Sequence, residues 1–223
     1  MLRRCGGWCA ATASRVPPDP SAEPAPPLPP ADLARRPLPI EEMPAGTLWW
    51  RIHQQKHDPL FFGPLPGQPP QHRFDAPDGS FRVCYLGTSE DASFAESFFR
   101  GPGLILEEGD LELRAFSQIQ NTHSLRLVQM HGPGLARLGG TAAVASGPYG
   151  VSQQWALALH NHADRPDGIL YRARHDDDLF CAAVFDGPHS VLMLRCTNGV
   201  LEDRPRLNRL LARYGAIVVS TKI

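Results

Sequence analysis

Proline decides where this chain can fold. Eleven of its 23 prolines fall within residues 1–46, several of them in the run PAPPLPP at 24–30. Each one fixes φ and removes a backbone donor, so such a stretch supports neither a helical ladder nor a central strand. It also lacks apolar periodicity, and a segment that cannot bury a face is expected to stay extended or disordered. Residues 1–46 are therefore read as a Pro-rich N-terminal segment and 47–223 as the domain. The opening MLRR is basic and residues 1–18 contain no acid, which faintly resembles a targeting peptide. CGGWCAATA is too short and too weakly apolar for a signal sequence, so a flexible tail or a translation start assigned too far upstream is the expectation. A Pro-rich stretch can also dock in a partner's aromatic groove.

From Thr47 onward the pattern changes. TLWWRI (47–52) supplies β-branched and aromatic residues over strand length, and FRVCYLG (81–87) reads as a second strand after a Pro/Gly-rich connection. EDASFAESFF (90–99) reads as a helix with Ala92, Ala95, Phe98 and Phe99 on one face and Glu90 and Asp91 favouring its N-terminus. Strands are expected at 111–119, 124–130, 167–174, 179–185, 191–196 and 216–221. SQQWALALHNH (152–162) reads as a helix capped by Ser152, and RPRLNRLLARYG (204–215) as another that stops at Gly215. Strands and helices mix without strict βαβ alternation, so the expected class is α+β.

A net charge of −1 argues against a nucleic-acid binder, and no apolar run approaches the roughly 20 residues that span a bilayer. The five cysteines are odd in number and form no CxxC pair. Cys84 and Cys181 lie in apolar runs, as small buried hydrophobes do. A disulfide framework is not expected, which favours a reducing cytoplasm. Metal-site candidates are weak: Cys5 and Cys9 have no His or acidic neighbour, HDDD (175–178) reads better as a solvated turn, and His160 and His162 lie near a helix end. No resident metal or cofactor is expected.

Familiar catalytic signatures are missing: there is no GxGxxG after a strand, no P-loop, no HExxH and no GxSxG. What stands out is polar residues set in apolar segments: Arg51 in TLWWRI, Arg73 in HRFD, Tyr85 in VCYLG and Glu96 in SFAESFF. Taken singly, each also fits a snorkelling or surface side chain. Together they suit attack on the glycosidic bond of NAD⁺. Guanidinium groups match a pyrophosphate bidentately and stay charged when partly desolvated. An aromatic ring can stack on nicotinamide or hold the ribose. A carboxylate stabilises the positive charge that develops on the ribose as nicotinamide leaves.

In that order, TLWWRI, HRFD, VCYLG, SFAESFF, DGILYRAR and the AVFD strand end, the chain resembles the RES domain family, named for Arg, Glu and Ser, from about Leu48 to Ile223. The resemblance implies a fold like that of the bacterial ADP-ribosyltransferase toxins, a mixed sheet core with flanking helices. It implies action on NAD⁺ as substrate, by degradation with water or phosphate or by transfer of ADP-ribose to a protein, and a partner antitoxin of the Xre type. Arg51 and Glu96 take the family's Arg and Glu roles, with Arg73 and Tyr85 as further NAD⁺ contacts. The family's serine falls at Ala173, whose side chain has no hydroxyl. Ser146 and Ser152 lie upstream as candidate replacements. If that hydroxyl is essential, the chain is a weakened or inactive copy that binds NAD⁺ or antitoxin.

Overall fold

The computed structural model describes residues 26–99, 104–187 and 191–220. In chain order the elements are β1 (Ile40–Met43), β2 (Leu48–Gln54), β3 (Val83–Gly87), α1 (Glu90–Phe98), β4 (Ile105–Glu107), α2 (Glu108–Glu112), β5 (Arg114–Asn121) and β6 (Leu125–Met130). There follow α3 (Gly132–Leu138), α4 (Ala143–Ser146), α5 (Tyr149–His160), β7 (Gly168–Ala173), β8 (Asp176–Phe185), β9 (Leu192–Gly199), α6 (Arg204–Tyr214) and β10 (Ile217–Val219).

Eight strands form one mixed sheet in the order β1-β6-β7-β8-β3-β2-β5-β9, and β4 pairs with β10 in a small parallel ribbon. Within the large sheet, β6 and β7 are parallel. Parallel neighbours need a long crossover, and the segment carrying α3, α4 and α5 supplies it. This is the α+β class expected from the sequence. Alternation along β8 separates the two faces: Ala182 and Val184 join a cluster with Trp49, Ile119 and Leu127, whereas Cys181, Ala183 and Phe185 join one with Trp155 and Leu159 of α5. A third cluster packs α1 and α6 on Ile52 and Phe116. No helix among the described residues is long and apolar enough to cross a membrane.

One junction positions everything that follows. Antiparallel β2 and β3 are paired at a single register, Trp50↔Gly87, whereas β2 meets β5 at seven. The sheet therefore gapes between β2 and β3. Gly87 also admits α1, since a Cβ there would lie 2.6 Å from the Ser93 nitrogen. Ser89 caps α1, its side chain accepting from the Ala92 N–H, with Glu90 and Asp91 in the first turn.

Several expectations are corrected. Order begins before Thr47: residues 26–46 pack on the domain, with Leu33 and Leu38 buried and β1 paired to β6 at four positions. Proline removes a donor but keeps its carbonyl, and Pro27 accepts from Trp155 Nε1 at 2.8 Å. The expectation for residues 1–25 lies outside the described residues. Ser152 does not cap its helix; α5 starts at Tyr149, and Ser152 is buried inside it. The strand expected from Leu111 starts at Arg114, because Leu111 is buried from the short helix α2. HDDD is mostly strand, with β8 starting at Asp176.

Candidate functional site

Arg51, Arg73, Tyr85 and Glu96 line one cleft of about 470 Å³ at the gap between β2 and β3. Arg51 projects from the middle of β2. Its Nη1 donates to the carbonyls of Pro59 and Phe61 at 2.8 and 2.7 Å and approaches Cys84 Sγ at 3.0 Å. The guanidinium thus fastens the 58–61 loop at the cleft's edge, where His57 and Phe61 stack at 5.6 Å.

The loop that carries Arg73 is built around a buried carboxylate. Asp75 is fully buried; its Oδ2 accepts from the Gln71 and His72 amides at 2.8 and 2.7 Å, and its Oδ1 from the Tyr85 hydroxyl at 2.9 Å. Tyr85 in turn accepts from the Phe74 amide at 2.9 Å. Burial first, and the adjacent Asp75 charge second, push the Tyr85 phenol well above its ordinary range. Tyr85 therefore faces the cleft as a ring, with its hydroxyl committed to the loop.

Arg73 crosses to the α4–α5 segment. Its Nη1 donates to the Gly147 carbonyl at 2.7 Å and lies 3.4 Å from Ser152 Oγ, and the Tyr149 ring stacks on the guanidinium at 4.9 Å. Burial lowers its pKa from the arginine norm, yet a guanidinium remains charged at neutral pH. Glu96 reaches the cleft from α1, where its Oε1 accepts the backbone N–H of Arg174. Arg174 follows β7 directly, so the strand end and the helix hold the carboxylate between them.

Ala173 is placed differently. It is 1% exposed, and its side chain belongs to the core packed on Tyr171 and Phe74. Neither upstream serine brings a hydroxyl in its place. Ser152 Oγ donates to the Val144 carbonyl behind Arg73, and Ser146 Oγ donates to the Ala142 carbonyl on the exposed side of α4.

Reading the sequence missed four contributors. Arg114 and Arg174 also line the cleft, Tyr149 covers Arg73, and Asp75 organises the loop. Asp75 and Arg174 stood inside the quoted motifs HRFD and DGILYRAR, and an apolar strand running into two arginines was the available signal for Arg174. Tyr149 gave none, because it precedes the helix expected from residue 152. Among the described residues the lining thus holds four arginines and one carboxylate, Glu96. On the β2 wall, His53 Nδ1 faces the Gln54 carbonyl at 2.9 Å, which makes Nδ1 the donor. Its Nε2 then accepts from Ser117 Oγ at 2.8 Å. Burial lowers the His53 pKa, which keeps the ring neutral.

The metal-site candidates are engaged elsewhere. Asp176 binds Arg213 and the Tyr214 hydroxyl, each at 2.9 Å. His160 stacks on Phe81 at 4.2 Å, and His162 contacts the Leu33 carbonyl at 3.3 Å. Cys5 and Cys9 lie outside the described residues.

Chemically, the described lining is rich in guanidinium donors suited to an anion, with Glu96 as its carboxylate. A family model described as the RES domain matches residues 48–203. Among solved structures, a chain of the M. tuberculosis MbcT–MbcA toxin–antitoxin complex superposes with a TM-score of 0.54 at 17% identity. The match covers 75% of this chain and 92% of that one. No curated protein sequence matches at a significant level.

Proposed function

The chain belongs to the RES-domain family, and from that premise, with the charge of its cleft, we propose that it is a toxin that breaks the nicotinamide–ribose bond of NAD⁺. The observation that carries this reading is that, among the described residues, one carboxylate is set among four guanidinium groups in one cleft. Arginines suit a pyrophosphate, which offers pairs of oxygens to planar donors. A lone carboxylate suits the other end of the ligand, where a cation forms.

The C1′–N bond breaks with its electron pair passing to the pyridinium nitrogen, and neutral nicotinamide leaves. Positive charge then develops on the ribose, and Glu96 stabilises it. The Arg174 N–H holds Glu96 by a charge-assisted bond, which fixes the carboxylate before the charge appears. Arg73, backed by Tyr149, and Arg51 hold the phosphates, and the Tyr85 ring packs against nicotinamide or ribose. The nucleophile adds at C1′ and releases its proton. Water or phosphate gives NAD⁺ degradation, and a protein side chain gives ADP-ribosylation. Labelled NAD⁺ in a lysate separates these: a labelled protein band marks transfer, and loss of NAD⁺ without one marks degradation.

Likeness to a chain of a toxin–antitoxin complex supports an antitoxin as partner, and the family resemblance points to one of the Xre type. The experiment is cellular NAD⁺ after induced expression of wild type and Glu96→Gln. Depletion by the wild type alone supports glycosidic cleavage. The second reading is a module that binds NAD⁺ without turnover. It is favoured by the buried Ala173 and by hydroxyls of Ser146 and Ser152 that are directed to carbonyls. Binding of NAD⁺ with no depletion by either form supports it.

A further inference from the structure

Residues 26–38 lie upstream of the span that the family model matches. They run as a strap over the α3–α5 crossover. The Pro27 carbonyl accepts from Trp155 Nε1 at 2.8 Å, the Leu33 carbonyl contacts His162 Nε2 at 3.3 Å, and the Leu38 amide donates to Asp164 Oδ2 at 3.0 Å. Leu33 and Leu38 are buried in the same core as Val144, Trp155 and Leu159. Pro26 covers Gly147 so closely that a Cβ there would sit 3.2 Å from the proline ring.

The opposite side of that crossover faces the cleft. Gly147 supplies the carbonyl that takes Arg73 Nη1, Tyr149 supplies the ring over the guanidinium, and Gln153 Nε2 donates to the His72 carbonyl at 3.0 Å. Residues 147–153 are thus held from behind by the strap and grip the Arg73 loop in front. This segment is the α4–α5 link and the first turn of α5, whose leading N–H groups have no intrahelical partner, and a helix end loosens when contacts that hold it are lost.

We propose that the strap, through Leu33, Pro27 and Trp155, is a positioning device for the Arg73–Tyr149 pair, so that the cleft is complete only with residues upstream of the family domain. Its effect on NAD⁺ rests on the function proposed above; its effect on the 147–153 wall does not. Ground-state binding of phosphates belongs to Arg73 and bond cleavage to Glu96, so loosening the strap acts on KM and leaves kcat nearly unchanged.

The test uses the full chain with Leu33→Ala and Trp155→Phe, the second of which keeps an aromatic side chain, smaller than the indole, and removes the bond to Pro27. Leu125→Ala, in the cluster on the other sheet face, serves as a control for general destabilisation. Amide exchange is followed over 143–153 and 71–75, and KM and kcat for NAD⁺ are measured on the same samples. The expected result is exchange at least about tenfold faster in both peptides for the strap variants and unchanged for the control. With it, KM rises about threefold to tenfold while kcat stays within about twofold. Unchanged exchange at 143–153 in both strap variants, or equal acceleration in the control, overturns the proposal. Faster exchange in a protein whose wild type turns over no NAD⁺ upholds the strap and counts against the function.

Discussion

Asp75 is the most heavily committed side chain in the site. A carboxylate is acceptor-only, and here it receives two amides and a phenol while fully buried. An Asn of the same shape has one acceptor and one donor end: with its amino group toward Gln71 and His72, donors meet donors, and with its oxygen there the Tyr85 hydroxyl loses the acceptor for its proton. Asp75→Asn is expected to cost about 1–3 kcal/mol of stability, because a buried polar group is left unsatisfied. Tyr85→Phe removes the bond to Asp75 and the one from the Phe74 amide, leaving both partners unpaired, and is expected to cost about 1–3 kcal/mol. Urea unfolding of the two variants measures both. A pH dependence arises at Asp176. Partial burial pushes its carboxyl upward, but the bonds from Arg213 and Tyr214 outweigh this and hold the pKa below the usual value. A folded-state pKa below the unfolded one, about 3.9, stabilises the protein above that value and is lost as pH falls through the folded pKa. Asp176→Asn is expected to flatten the acid side of the melting-temperature profile below about pH 4 and to leave its slope between pH 6 and 8 unchanged.

At the scale of elements, α1 decides whether Glu96 faces the cleft. Its start rests on the Ser89 cap and its seat on Gly87. Ser89→Ala is expected to cost about 1 kcal/mol. Gly87→Ala forces a Cβ against helix backbone and is expected to cost about 1–3 kcal/mol, with a fall in activity beyond that of Ser89→Ala because the helix carrying Glu96 is displaced. Denaturation and NAD⁺ turnover of the pair check this. Elements with a strong period were legible in the sequence: β2, β3, α1, β7 and α6 stand within a few residues of where alternation, helical spacing and Gly215 placed them. The elements that escaped are held by tertiary context. Strand β1 contains two glutamates and forms because β6 offers an edge, and α2 to α4 are too short to show a period. Four site residues were legible through their motifs. Tyr149 was not, because it meets Arg73 only after the crossover folds back between β6 and β7.

For the whole molecule, the contrast is between an overall charge of −1 and a cleft lined by four arginines. Concave walls of low dielectric focus such a field, so the proposed anionic ligand is expected to be drawn to the gap between β2 and β3 although the protein as a whole is nearly neutral. Binding of NAD⁺ is expected to weaken as salt is raised from about 50 to about 500 mM, because a shorter Debye length screens the attraction between the cleft's arginines and the phosphates. Titration calorimetry at several salt concentrations reads the slope, and a flat response would argue against recognition of the phosphates. The central claim is that Glu96 stabilises a ribosyl cation. Its most direct test is nicotinamide release from NAD⁺ by the purified protein and by Glu96→Gln. The account predicts release by the wild type and a fall in kcat of about 10²–10³-fold in the variant, on the scale of a lost electrostatic stabiliser, with NAD⁺ still bound. Equal release by the two proteins, or none from a wild type that binds NAD⁺, would contradict it.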